Sequence, residues 1–309
     1  MILVCGEALY DVFMTKVPEA GPVGLTAVIG GSPLNVAVGL ARLGRPAGFF
    51  AGVSTDPLGE RLARHIAAEG IETRYLRRLD NPTTLSLVGV DAAGAPRYTF
   101  HGHRAADISL TQADLPALGP EVLGLHVGSY TLVRPPVADA LAALVRREQH
   151  RLVSLDPNIR PTVEPDMAVW RARIAALLPL VSVVKASDED IGLLHPGEAP
   201  ESVAARWLAE GPGLVVVTRG AAGAFGLTRA GRVDVAAPRV AVVDTVGAGD
   251  TFQAALIDGL LARGPGGRAA VAGIASDELE RLLRRCVAAA AITCGRQGAD
   301  LPRAAELAG

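Results

Sequence analysis

Residues 244–261 read DTVGAGDTFQAALIDGLL, in which two acids, Asp244 and Asp250, bracket the small residues Gly247, Ala248 and Gly249. An apolar pattern follows at helical spacing through Phe252, Ala255, Leu256 and Leu260, which predicts a buried helix starting near Ala248. The first amides of such a helix have no intrahelical partner, and glycines let an oxyanion approach them with no Cβ in the way. The helix dipole adds partial positive charge, so the turn reads as an anion cradle. Asp250 is the puzzle, because a carboxylate beside an anion site repels the anion. It either offsets the dipole as an ordinary first-turn acid or faces a substrate hydroxyl and accepts its proton as the oxygen attacks a phosphate. Phosphoryl transfer has a loose transition state and needs mainly positioning and charge stabilisation, so late proton acceptance by a carboxylate suffices. Asp244, before the turn, binds a cation or braces the loop.

Apolar strand-like runs sit upstream of this stretch. ILVCG, GFFAGV, LGLHVG, RLVSLD, VSVVKAS and LVVVTRG each precede a segment of helical spacing, which predicts an α/β fold with a mainly parallel sheet flanked by helices. Ligands in such sheets bind beyond the carboxyl ends of the strands, so Asp156, Lys185, Thr218 and Asp244 are expected along one rim. Residues from about 11 to 29 and 85 to 104 break the alternation. They read as a small antiparallel sheet acting as a lid inserted into a single domain spanning 1–309, or as edge hairpins of the main sheet.

The second glycine-rich stretch, GGSPLNVAVGLARLG at Gly30–Gly44, reads as a framed helix. Ser32 is the expected N-cap, Pro33 the first helical position and Gly44 the left-handed stop. The pair Gly30 and Gly31 with Asn35 suits a polyol approaching the backbone, or else a tight turn. Asp11, past the first strand, accepts from two hydroxyls or terminates a turn. In VVKASDEDIGLL, Ser187 caps a helix and Asp188 and Glu189 complement its dipole. Asp190 is a candidate for water-bound Mg²⁺, and Lys185 for a phosphate. In VVVTRGAAGAFG, Thr218, Gly220 and Gly223 suit a hairpin or a nucleotide lying across it.

Composition bounds the alternatives. The chain has 309 residues, 50% hydrophobic, with 30 basic and 32 acidic side chains, so no global field recruits nucleic acid or a membrane surface. Lysine occurs only at Lys16 and Lys185, neither after a glycine, which excludes a Walker loop, and the quoted stretch lacks the third glycine of a dinucleotide fingerprint. Cys5, Cys286 and Cys294 have no metal-ligand spacing and read as packed thiols. His101 and His103 are expected on one face of a lid strand. With no apolar run long enough for a membrane span and no basic leader, a cytoplasmic protein is expected.

Together GEALYDVF, GGSPLNVAVGLARLG, DPNIRPTV, VKASDEDI, VTRGAAGA, DTVGAGDTF and AAAITCGRQGA closely resemble, in order, the motifs of the ribokinase (PfkB) family of sugar kinases, most of all its bacterial fructokinase branch. The resemblance implies a Rossmann-like α/β domain whose β lid often forms a dimer clasp, hence a homodimer. It also implies ATP-dependent phosphorylation of a sugar hydroxymethyl group, with Mg²⁺ and a monovalent cation such as K⁺. It would make Asp250 the base and Gly247, Ala248 and Gly249 the anion hole. Asp11, Gly30, Gly31 and Asn35 would hold the sugar. Lys185, Ser187, Thr218, Gly220, Gly223 and Ala288 would lie along ATP, and Asp244 and Val246 by the cation. The family's magnesium-linked Asn and Glu are Ser187 and Asp190 here, and His101 stands where many relatives carry an aromatic ring. Fructose is the expected substrate. Arg97, Arg104 and Arg160 suit the carboxylate of 2-keto-3-deoxygluconate instead, ribose is a further candidate, and a catalytically silent sugar sensor is the reading from another class.

Overall fold

The computed structural model describes residues 1–16, 21–90, 96–264 and 267–307. In chain order its strands are β1 (Ile2–Cys5), β2 (Leu9–Lys16), β3 (Gly24–Gly30), β4 (Ala47–Phe50), β5 (Gly52–Ser54), β6 (Arg77–Leu79), β7 (Leu85–Val90) and β8 (Pro96–His101). They continue with β9 (Gly124–Gly128), β10 (Leu152–Asp156), β11 (Val183–Ser187), β12 (Leu214–Thr218), β13 (Ala224–Thr228) and β14 (Gly231–Val235). The helices are α1 (Ser32–Arg42), α2 (Pro57–Ala68), α3 (Val137–Glu148), α4 (Met167–Leu177), α5 (Asp188–Leu194), α6 (Pro200–Glu210), α7 (Ala248–Ala262), α8 (Arg268–Ala272) and α9 (Ser276–Cys294).

The central sheet runs β14-β13-β12-β11-β10-β9-β1-β4, parallel from β12 to β4 and antiparallel at β13 and β14. Side chains alternate faces along each strand. Ile2 and Val4 therefore join the core beneath α1, α7 and α9, while Leu3 and Cys5 join the core beneath α3, α4 and α6. Burial on both faces explains why β9 and β10 are buried throughout.

The expected α/β architecture and the separate small sheet are both present. The small sheet has the order β3-β2-β7-β8 and shares no strand with the central one. It is not wholly antiparallel as expected, because β2 and β7 pair in parallel, Tyr10 opposite Leu85. Other expectations also change. GFFAGV divides into β4 and β5, which belong to different sheets, because β5 pairs with β6 instead. LVVVTRG leads into the hairpin β13-β14 rather than a helix, and β1 leads first into the small sheet. The valine-rich run before Asp244 forms no strand: Val242 and Val243 are each 63% exposed, so Asp244 sits on a loop. His101 ends β8 and His103 lies beyond it.

Two helices meet closely at the centre of one face. A Cβ on Gly39 would come within 2.8 Å of the Ala254 methyl group and 2.7 Å of Leu301. Glycine there lets α1 approach α7, and that approach brings the two glycine-rich stretches together.

Candidate active site

Helix α7 starts at Ala248 as expected, capped by Gly247 in the left-handed region at φ 79°. A side chain on Gly247 would meet Ala299 at 2.7 Å, so both backbone shape and space require glycine. The Ala248 amide donates to Thr245 O at 3.2 Å, whereas those of Gly247, Gly249 and Asp250 have no partner among the described residues. Gly247, Ala248 and Gly249 are half-buried, so the turn opens to solvent.

Asp250 lies at the mouth of this turn and is only 6% exposed. Its Oδ1 accepts from Ser32 Oγ at 2.6 Å and its Oδ2 from Asn35 Nδ2 at 2.8 Å. Ser32 is therefore not the N-cap expected from the sequence. Gly31 occupies that position at φ 111°, which makes Ser32 the first residue of α1 and frees its hydroxyl for Asp250. Ser32 and Asn35 stand three apart on one helical face, a spacing from which the pairing could have been read. Each carboxylate oxygen keeps a second lone pair, so Asp250 is fixed in orientation yet still able to accept a proton.

Behind the turn lies a buried ion pair. Lys185 Nζ donates to Asp156 Oδ2 at 2.8 Å, both side chains being almost inaccessible. A Cβ on Gly249 would lie 3.2 Å from the same Nζ, which places this cation beside the open turn at the start of α7. Burial works against the Lys185 charge, but Asp156, Asp190 and Asp250 outweigh it and hold its pKa above the ordinary value. Asp190, the candidate for water-bound Mg²⁺, is held by local partners. Its Oδ2 forms a capping box with the N–H and hydroxyl of Ser187, at 3.1 and 2.7 Å, and its Oδ1 accepts from Ile159 N at 2.8 Å. Asp190 thereby tethers the loop that carries Arg160. No group of three His, Cys, Asp or Glu side chains is placed to hold a metal ion among the described residues. This donor set does not fit a protein-built magnesium cage, and Mg²⁺ fits better as a part of the nucleotide substrate.

Of the sugar candidates, Asp11 and Gly30 adjoin one another across β2 and β3. Asp11 pairs with Val28 across β2 and β3, and a Cβ on Gly30 would strike its Oδ2 at 2.5 Å. Gly31 likewise leaves room for the Glu7 carbonyl, 2.7 Å from where its Cβ would be. Burial raises the Asp11 pKa, opposed by a hydrogen bond from Ser86 and by the Arg160 charge. Arg160 is exposed and donates to its own loop at Asn158 O and Ile159 O. The backbone of Arg97 lies on β8 opposite Gly89, while its side chain falls outside the described residues. Arg104 adopts φ 53° just past β8.

The remaining candidates lie on β12, on the turn that follows it, on α9 and on the loop before α7. Thr218 ends β12, with its Oγ1 3.5 Å from Ala186 O. Gly220 has open space where a Cβ would be, and Gly223, at φ 89°, would clash with Val235 O. Ala288 lies exposed on α9. Asp244 accepts from Val246 N at 3.1 Å and Gly298 N at 2.9 Å, so it braces the loop, and these amides hold its pKa low although burial opposes them. Val246 is 50% exposed.

The model of the pfkB family of carbohydrate kinases matches residues 1–305. The chain belongs to that family. This kinase is 39% identical over 261 residues to a fructokinase of Rhizobium leguminosarum bv. trifolii, covering 84% of this chain and 79% of the relative. It is 33% identical over 247 residues to the 2-dehydro-3-deoxygluconokinase of Bacillus subtilis (strain 168), covering 75% and 74%. The crystal structure of Xylella fastidiosa fructokinase with bound ATP superposes with a TM-score of 0.89 at 28% identity, covering 99% of this chain and 96% of that one. The pfkB kinase described here is thus an ATP-dependent sugar kinase with a ribokinase-like fold. None of its helices, among the described residues, is long and apolar enough to cross a membrane.

Proposed function

We propose that this kinase transfers the terminal phosphoryl group of MgATP to the hydroxymethyl group of fructose, giving fructose 6-phosphate. The observation that carries this reading is the Asp250 carboxylate, oriented by Ser32 and Asn35 at the mouth of an open turn whose Gly247 and Gly249 amides have no partner among the described residues. As the sugar oxygen attacks the γ-phosphorus, its proton passes to Asp250 and the bond to the β-phosphate oxygen breaks. The free amides of the turn and the Lys185 ammonium stabilise the charge spread over the transferring group. Asp11, Gly30, Gly31 and Asn35 hold the sugar. Ser187, Thr218, Gly220, Gly223 and Ala288 follow the nucleotide, whose triphosphate brings the Mg²⁺. A monovalent cation such as K⁺ would lie against Asp244 and Val246.

Similarity to fructokinases favours a neutral sugar, and so does the electrostatics of Arg160. That guanidinium already donates to the Asn158 and Ile159 carbonyls and its charge acts on the Asp11 carboxyl, which leaves less of it for a substrate carboxylate. The Bacillus relative keeps 2-keto-3-deoxygluconate as the second reading. Coupled measurement of ADP release with fructose, ribose and 2-keto-3-deoxygluconate separates them. Fructose is expected to give the highest kcat/KM by at least about tenfold, about 1.4 kcal/mol of discrimination. A preference for the acid would reassign the substrate, and binding without ADP release from any sugar would leave a sensor.

A further inference from the structure

One set of buried contacts ties the small sheet to the turn after β9. After β9 the chain makes a single 3-10 turn, Ser129–Leu132, which opens with Ser129 at φ 59°. A non-glycine residue in that region is strained, and such strain persists only where the surroundings hold it. Here the surroundings are the roots of the small sheet. Tyr130, buried in the turn, donates its hydroxyl to Asp107, just past β8, and its ring meets Phe100 of β8 edge-on at 5.1 Å between centroids. The other Asp107 oxygen accepts from Thr84 Oγ1 at 2.6 Å, and Thr84 directly precedes β7. The Thr84 carbonyl in turn accepts from Tyr10 N on β2, one residue from Asp11. Thr131 Oγ1 lies 3.4 Å from Glu7 Oε2 on the connection between β1 and β2. Glu7, Thr84, Asp107, Ser129, Tyr130 and Thr131 are all at most 2% exposed.

We propose that the turn Ser129–Leu132 is the post to which the lid is tied, and that Tyr130, Asp107 and Thr84 are positioning residues that set how Asp11 meets the sugar. The inference rests on the sugar-kinase reading of the site. None of the three belongs to the groups assigned to sugar, nucleotide or anion, so their effect reaches the sugar through Tyr10 and Asp11. Buried hydrogen bonds to a carboxylate are strong and short-ranged, so removing one donor loosens a specific strand root rather than the whole core.

The test is steady-state kinetics of Tyr130→Phe and, separately, Thr84→Val, each of which deletes one donor to Asp107 and keeps the packing volume. The sugar used is the one that wild type phosphorylates best. Each variant is expected to raise KM for that sugar about tenfold, with kcat and the KM for ATP within about twofold of wild type. Thr84→Ser, which retains the hydroxyl, is expected to behave as wild type. An unchanged sugar KM in both deletions overturns the proposal, and so does a loss in kcat and ATP KM equal to that in sugar KM. Wild type inactive on every sugar would instead contradict the sugar-kinase reading itself.

Discussion

At the scale of single residues, polar groups withdrawn from water do most of the positioning. Asp250 and Lys185 sit beside the open turn at the start of α7, and each is oriented by a named partner. Glu7 shows the cost of burial most directly. Desolvation, together with the charge of Asp107, pushes its pKa up to about 8, against the opposing pull of a Ser129 hydrogen bond and the Arg160 charge. The folded chain therefore keeps a proton there that the unfolded chain releases near an ordinary carboxylate pKa. Stability due to Glu7 is greatest below that ordinary value and falls as pH rises toward about 8, by up to about 1.4 kcal/mol per pH unit. Glu7→Gln is expected to flatten this decline. Denaturant midpoints of wild type and variant between pH 5.5 and 8 check it, since parallel curves would show that Glu7 is not the group responsible.

At the scale of elements, the site depends on how closely α1 and α7 pack. Gly39 and Ala254 set that distance, and the consequence is felt one to two turns away, where Ser32 and Asn35 reach Asp250. Gly39→Val is expected to cost about 1–3 kcal/mol through overpacking. It is also expected to lower kcat more than it raises KM for ATP, because α1 carries Ser32 and Asn35, which orient Asp250. Thermal unfolding and steady-state kinetics on the same preparation check both halves. Much of this was legible in the sequence. The helix start at Ala248, the Gly44 stop and the Ser187 cap are local signals, and local signals survive folding. Ser32 was misread because two residues compete for one cap: the glycine before it takes the left-handed backbone, and only the tertiary contact with Asp250 shows what the freed hydroxyl does. The parallel pairing of β2 with β7 and the buried pair Asp156–Lys185 join residues 29 or more positions apart, so no local pattern marks them.

At the scale of the whole molecule, the small sheet leaves apolar side chains in solvent. Phe13 is 40% exposed, Leu25 57% and Val28 47%, all on β2 and β3. Faces alternate along a strand, so Phe13 and Val28 share one face with Asp11 while Leu25 lies on the other; exposed apolar side chains on a sheet are a liability unless covered, as a second copy meeting the sheet through a two-fold axis would do. A homodimer through the lid is therefore expected, with Leu25→Glu shifting the mass measured by light scattering from two chains to one. A wild-type monomer at micromolar concentration would remove that expectation without touching the site. The proposed catalysis rests on the pairing of one carboxylate with one open turn of amides. It is tested most directly by Asp250→Asn, assayed for ADP formation from MgATP and fructose and for fructose binding by calorimetry. The pairing predicts turnover reduced by at least about a thousandfold with fructose affinity within a few-fold of wild type. Turnover within tenfold of wild type would contradict it.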